Sequence, residues 1–467
     1  MLTVSESERM TDRPQHPSRR ELVTALAVGS AGMLAGCIGG DDEGGNGNGN
    51  GNGNGNGNGN GNGNGNGNWN GNGNGNGDMA TEVSFTHISS FEPEAEDLQS
   101  RLSDGEEGIT LSPSATPAES ASTREYLLNQ FVAQSSEFDA SMMDVVWPAE
   151  FVENEWIAPV EDTSGVTDNM LDTPVEANTI DGELYGIPMF TDANAFYYRS
   201  DKLEEYGFEP PETYMEVVEQ AQTILDEDDE MENGYIWQGG TNEGLTIMWL
   251  NWLWGFGGSV QQGDKLVVNS QEGVDALQHA VDLIHEYEIT PDNIPASGTD
   301  GNRQTFQNGN TLFMRQWPYA VSIYEDDTPV TGKFDVTTMP KAEGNEDANN
   351  SCLGGWSILI NNFSENKDAA NTLANYVGSL EVQEMLALEY SRLPVHEELY
   401  SDEYYEQQGS LEIFAEALQQ TSARPATPQY GQFSKTLYTN CNQALVQEKT
   451  PQEALDDAQE DIDANIN

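Results

Sequence analysis

Several short stretches of this 467-residue chain carry side chains suited to holding a polyhydroxylated molecule without transforming it. In residues 181–203, DGELYGIPMFTDANAFYYRSDKL, a rigid proline (Pro188), an aromatic face (Phe190), a hydroxyl (Thr191) and a carboxylate (Asp192) fall within five residues. Carboxylates accept hydrogen bonds from hydroxyls, and aromatic faces cover C–H surfaces. Taken alone, the set is matched by a plain alternative, a structural turn with a surface aspartate. Residues 143–151, MDVVWPAEF, end an apolar run with Asp144 and Trp147, and open α/β sheets hold ligands at such strand ends. Trp317, ahead of Pro318 in MRQWPYA, reads as a stacking platform or as a packing tryptophan. Gly354 and Gly355 allow backbone amides to approach a ligand beside Trp356. Arg424, in the rigid loop ARPATP, offers a fixed guanidinium able to donate to adjacent hydroxyls.

Catalytic signatures are missing. His16, His87, His279, His285 and His396 show no metal-ligand spacing, and His279 and His285 are six residues apart, on different helical faces. Residues 258–265 imitate a phosphate loop only superficially, because Asp264 separates Gly263 from Lys265 and no hydroxyl residue follows. The acidic run 226–230 fails as a calcium loop, with Met231 where glycine is needed and Trp237 at the bidentate position, and reads as a solvated helix end. No G-x-S-x-G is present. A pair of glycosidase carboxylates stays open, since separation in space decides it. The expectation is a binding protein with no catalysis, no cofactor and no metal.

The elements that must position these residues alternate. Strands are expected at 81–88, 138–146, 195–198, 311–313 and 358–360. Capping boxes at Thr116–Glu119, Thr213–Glu216 and Thr450–Glu453, and a cap at Ser270, start helices. The inward faces are expected to be Leu128, Phe131 and Val132; then Val217, Ala221, Ile224 and Leu225; then Val274, Leu277, Val281 and Ile284. Residues 248–258, MWLNWLWGFGG, read as an apolar helix whose Trp249, Trp252 and Trp254 belong to the core. The class is α/β.

Charge narrows the partners. Eighty acidic residues against 18 basic ones give a net charge of −62, which excludes the basic footprint a nucleic acid requires. With 36% hydrophobic and 9% aromatic residues in periodic segments, the chain folds rather than staying disordered, and the charge reads as adaptation to molar salt. Arg19-Arg20 before a short apolar stretch resembles a twin-arginine export signal, and Leu34-Ala35-Gly36-Cys37 a lipobox that makes Cys37 the lipidated N-terminus. Residues 1–37 are thus a leader, and 38–78, almost all Gly and Asn, a flexible tether. Cys352 and Cys441 can pair outside the cytoplasm or stay as buried thiols; both readings remain open. Asn349 and Asn362 stand in N-x-[ST] sequons.

Taken in order, DVVWPAEF, DGELYGIPMFTDANAFYYR, YIWQGGTNEGL, FMRQWPYA, LGGW and ARPATP resemble the carbohydrate-binding proteins of ABC importers, of the trehalose/maltose type, here as a haloarchaeal lipoprotein. The resemblance covers the chain from about Met79. It implies a type II two-lobe fold, with 79–188 and 357–392 in lobe 1, 189–356 and 393–467 in lobe 2, and crossovers near 188–191, 353–356 and 391–394. It implies that Asp144, Asp192 and Arg424 bond sugar hydroxyls, that Trp317 and Trp356 stack on the rings, and that Gly354 and Gly355 offer backbone donors. Phe190 would line the pocket where the family often has tyrosine, and Arg124 and Glu92 would match an early arginine and acid. The implied protein is a monomer, anchored outside the membrane by Cys37, that delivers an α-glucoside to permease subunits. The rival class is a secreted glycan-binding protein or glycoside hydrolase.

Overall fold

The computed structural model describes residues 80–105, 107–117 and 119–467. The leader, Cys37 and the tether lie outside the described residues. The strands of the remainder gather mainly into two sheets, each with its own hydrophobic core, and these make two lobes.

The first sheet has the order Ile109–Thr116, Thr81–Ile88, Ala140–Asp144, Gly354–Asn361, Ile157–Ala158, with Ile187–Asp192 also paired to Gly354–Asn361. Thr81–Ile88 is parallel to Ile109–Thr116 and Ala140–Asp144, whereas Gly354–Asn361 is antiparallel to all three of its neighbours. Every residue of Ala140–Asp144, Ile187–Asp192 and Gly354–Asn361 is buried. Strands covered on both faces lose the polar alternation of half-exposed ones, so they read in the sequence as apolar runs. Helices Glu92–Arg101, Ser120–Val132, Lys367–Val377 and Leu380–Tyr390 contribute Leu98, Leu127, Leu373 and Leu386 to this core.

The second sheet has the order Asp335–Thr337, Ala195–Tyr198, Thr311–Gln316, Asn233–Ile236. Its core is built on helix Glu243–Gly255, in which every residue from Gly244 to Gly255 is buried, so the tryptophans at 249, 252 and 254 are core residues as read from the sequence. The C-terminal helices Tyr430–Leu445 and Pro451–Asn465 pack Phe433, Leu437, Leu455 and Ile462 into the same core. The chain stays in the first sheet until Asp192, enters the second at Ala195 and returns at Gly354. Around the third passage, Leu393 packs in the second core and Val395 in the first.

Most local signals hold. The capping boxes at Thr213–Glu216 and Thr450–Glu453 form, and the Ser270 side chain accepts from Gly273 N–H. The expected box at Thr116 does not form. Thr116 instead ends a strand in register with Ile88, its hydroxyl donates to the His87 carbonyl at 3.0 Å, and the helix begins at Ser120. That later start rotates the inward face to Thr123, Leu127 and Phe131, leaving Val132 74% exposed. Strand pairing outcompeted the cap. The strand expected over 138–146 is limited to Ala140–Asp144. Within the acidic run, Asp228 caps helix Tyr214–Glu227 and pairs with Lys202 at 2.7 Å. Cys352 and Cys441 are free, buried thiols, and burial pushes Cys352 up to about 12.

Candidate functional site

The site follows from strand register. Asp144 and Asp192 each end a strand, and the strand that begins at Gly354 lies between those two strands. Trp356 is paired with Asp144, and Gly354 with Asp192. Two carboxyl ends and one amino end therefore meet at one edge of the first sheet. The glycines are needed for close approach: a Cβ on Gly354 would stand 2.9 Å from the Trp317 ring, and one on Gly355 (φ +138°) 2.8 Å from the Phe190 carbonyl. The Gly355 carbonyl accepts from Val145 N–H at 3.3 Å.

Residues of both lobes close a cavity at this edge. Its empty volume, mouth included, is about 720 Å³, within the range of about 300–1,000 Å³ common for small-ligand sites. Asp144, Asp192, Trp317, Gly354, Gly355, Trp356 and Arg424 all line it. Arg424 crosses the cleft: Nη2 donates to Asp144 Oδ1 at 2.7 Å and Nη1 to Glu243 Oε1 at 2.9 Å. Ser120 Oγ donates to the other Asp144 oxygen at 2.9 Å, and Tyr430 and Ser434 donate their hydroxyls to Glu243. Burial pushes the Glu243 carboxyl up, opposed by Arg424. A second cross-lobe contact runs from Thr299 N–H to Glu119 Oε1 at 3.3 Å, and burial raises that carboxyl too.

Asp192 is 5% exposed, and burial pushes it up to about 7 against the pull of Arg392 and Arg315. Its Oδ1 has no partner; nor do Arg315 Nε and Nη2, Arg424 Nε and the Tyr319 hydroxyl, all of them buried atoms of cavity-lining residues. Buried polar atoms are normally bonded. The wall thus holds spare donors and a spare acceptor together, which suits a ligand whose groups both give and accept hydrogen bonds. Two indoles complete it, Trp356 packing edge-on to the buried Trp147 at 5.4 Å.

Three expected residues lie elsewhere. Glu92 is exposed in the first turn of helix Glu92–Arg101; two positions on, the helix turns Glu94 inward, where it holds Arg392 at 2.8 Å. Arg124 points to Glu150, its Nε donating at 3.0 Å, while Glu119 and Ser120 one turn earlier face the cavity. Phe190 is stacked on Phe91 at 6.1 Å beneath the Arg392 guanidinium, and lines a second, largely apolar cavity with Val145, Pro188 and Leu353. The residues that went unnoticed are Glu119, Glu243, Arg315, Tyr319 and Arg392. Arg315 and Tyr319 flank Trp317, and a basic residue within an apolar strand was a readable signal. Glu243, first in its helix after the Asn242 cap, was not.

Comparison with known proteins agrees with this architecture. A family described as "Bacterial extracellular solute-binding protein" matches residues 89–384. A Deinococcus radiodurans protein named "Probable ABC transporter-binding protein" is 32% identical over 363 residues, 74% of this chain and 84% of that one. An arabinooligosaccharide-binding protein of Halalkalibacterium halodurans is 24% identical over 321 residues, 64% of this chain and 70% of that one. The structure of maltose-bound MalE3 of T. maritima superposes with a TM-score of 0.76 at 30% identity, covering 82% of this chain and 100% of that one. With its two α/β lobes of the type II periplasmic binding fold and a cavity walled by both, the chain belongs to the bacterial extracellular solute-binding protein family.

Proposed function

We propose that the protein binds a sugar outside the cytoplasm and delivers it to the permease of an ABC importer, with an α-glucoside such as trehalose, maltose or a maltodextrin as ligand. The observation that carries the reading is the meeting of two carboxylates, a guanidinium and two indoles around one cavity walled by both lobes. Asp144, Asp192 and Arg424 bond hydroxyls, Trp317 and Trp356 cover ring faces, and Gly354 and Gly355 give close access. The names of the relatives, which include arabinooligosaccharide, lactose and maltose binders, favour an oligosaccharide. With lobe 1 as 79–188 and 357–392 and lobe 2 as 189–356 and 393–467, the sugar draws the two together by hinge closure. The sequence of the leader supports export through Arg19-Arg20 and anchoring of a monomer through lipidated Cys37. Calorimetry and tryptophan fluorescence in molar NaCl with trehalose, maltose and maltotriose test the reading. A saturable response to one of them is expected, with no reducing sugar released on long incubation. Silence toward all common glycans, or turnover lost in Asp144→Asn, would overturn it.

A further inference from the structure

Arg315 lies in strand Thr311–Gln316 with 0% exposure. Two contacts fix its guanidinium. Nη1 donates to Gln238 Oε1 at 2.5 Å, and the guanidinium carbon sits 4.1 Å from the centroid of the Trp317 ring. The remaining edge, Nε and Nη2, has no partner although both atoms are buried.

That edge is a side-on fork. The same protein shows what such a fork takes: Arg199 grips Asp201 with Nε and Nη2, each at 2.7 Å from one oxygen. Neither of the other two guanidiniums of the cavity wall keeps this edge whole, although Arg424 Nε is also unpartnered. Arg392 commits Nε to Glu94 and Nη2 to the Ser90 carbonyl, both at 2.8 Å. Arg424 commits both Nη groups to Asp144 and Glu243. Arg315 alone among the three keeps a whole fork without a hydrogen-bond partner.

We propose that the Nε–Nη2 edge of Arg315 is the specificity-determining contact of this site, receiving two vicinal hydroxyl oxygens of the bound sugar. The assignment rests on the sugar-binding reading given above. Asp192, on the same cavity wall, decides between the two-oxygen groups that fit a fork. Its own Oδ1 is unpartnered. A hydroxyl accepts from Arg315 and donates to Asp192 at once, whereas a ligand carboxylate can only accept and is repelled by Asp192 once that carboxyl is ionised. A neutral vicinal diol satisfies both residues. Lysine cannot replace the fork, because its ammonium is a point donor.

The test uses the full chain in molar NaCl. In wild type, the sugar that binds is compared with its single-deoxy analogues and with the matching uronate. Deoxygenation at each of two adjacent positions is expected to cost tenfold or more. Arg315→Lys, which keeps the charge, is expected to weaken the parent sugar by tenfold or more and to erase the penalty at those same positions, an outcome that a merely structural role would not produce. The groups facing Asp192 are Arg392, Arg315, Asp144 and Arg424; with one cation gone in Arg315→Met, the midpoint of the pH–affinity curve moves upward. If the variants do not fold, the Nε–H resonance of Arg315 in [15N]arginine-labelled wild type serves instead, and sugar should shift it and slow its exchange. Wild-type binding with an unchanged Arg315→Lys, or a resonance indifferent to saturating sugar, overturns this proposal alone. Tighter binding of the uronate overturns the hydroxyl assignment. No binding of any sugar by wild type overturns the functional reading itself and this proposal with it.

Discussion

Asp144 and Trp356 are register partners on adjacent antiparallel strands, so a carboxylate and an indole leave the sheet side by side on one face. In the proposed binding mode, a sugar hydroxyl bonded to Asp144 brings its ring against Trp356. Trp356→Ala is expected to weaken binding by roughly 1–3 kcal/mol, as for other buried aromatic anchors. Calorimetry checks it, with circular dichroism to verify the fold; unchanged affinity would make Trp356 a packing residue only.

Removing Arg424 leaves the buried Asp144 carboxylate and the half-buried Glu243 carboxylate without the guanidinium that bridges them. Breaking such a set costs about 3–5 kcal/mol. Burial already pushes the Glu243 carboxyl up and Arg424 opposes it, so without the cation Glu243 takes up a proton more readily in the folded state, and the loss should be small in acid and grow as pH rises. Melting of Arg424→Ala and wild type at pH 5 and pH 8 measures this; a gap that does not widen at pH 8 contradicts it.

Burial of Asp192 costs stability once the carboxyl ionises. Its folded value of about 7 lies above the ordinary 3.8, so its contribution favours folding below pH 4 and is lost as pH rises toward 7. Asp192→Asn should therefore melt higher than wild type at pH 8, by up to about 4 kcal/mol in stability, and equal it near pH 4. Sugar affinity should fall in the same variant. A melting point at pH 8 below that of wild type would show that the carboxylate is held by contacts that an amide cannot make.

The approach of the lobes can be probed at a residue that does not itself line the cavity but abuts Glu119, which does. A Cβ on Gly298 would meet Glu119 Oε1 at 2.3 Å, while φ of −105° is open to any residue. Gly298→Ala should hold the lobes slightly apart and weaken sugar binding by about tenfold, or ~1.4 kcal/mol, with little change in melting temperature. Small-angle scattering with saturating sugar should show a larger radius than wild type. Equal affinity and equal radius would mean that the Glu119 side chain swings away at no cost.

Stability should rise steeply with salt. Among the described residues, many basic side chains are spent on internal partners, such as Arg101 with Asp97, Arg199 with Asp201 and Arg392 with Glu94, and the net charge of −62 is left to repel itself. The screening length is about 30 Å at 0.01 M salt and about 3 Å at 1 M. Against a folding free energy of about 5–15 kcal/mol, distributed repulsion decides the outcome at low salt. Melts in dilute buffer, molar NaCl, molar KCl and dilute buffer with millimolar calcium separate screening from specific ion binding. An immobile midpoint between dilute buffer and molar NaCl would refute the salt adaptation.

What the sequence made legible was what adjacent residues encode together. Strand Thr81–Ile88, the Thr213 and Thr450 caps and the apolar helix were readable because each signal spans a few neighbouring positions. Asp144, Asp192 and Trp356 were readable because they end or begin strands. The misses came from phase and distance. A helix that starts at Ser120 rather than after Thr116 turns Val132 outward and Arg124 away from the cavity. A shift of two positions separates exposed Glu92 from buried Glu94. Glu243 acquires its role from Arg424, 181 residues away, which no local pattern records.

The central strand of the first sheet, Gly354–Asn361, is supplied more than 160 residues after Asp192. During synthesis, Ala140–Asp144 and Ile187–Asp192 must wait, with their edges bare, while the whole second sheet emerges from the ribosome. The first lobe cannot be completed on its own, and a nascent chain stopped after Asp192 offers apolar edges to any neighbour. The proposed export is therefore better served by finishing the fold before the membrane is crossed, or by a chaperone that shields those strands until residue 361 arrives.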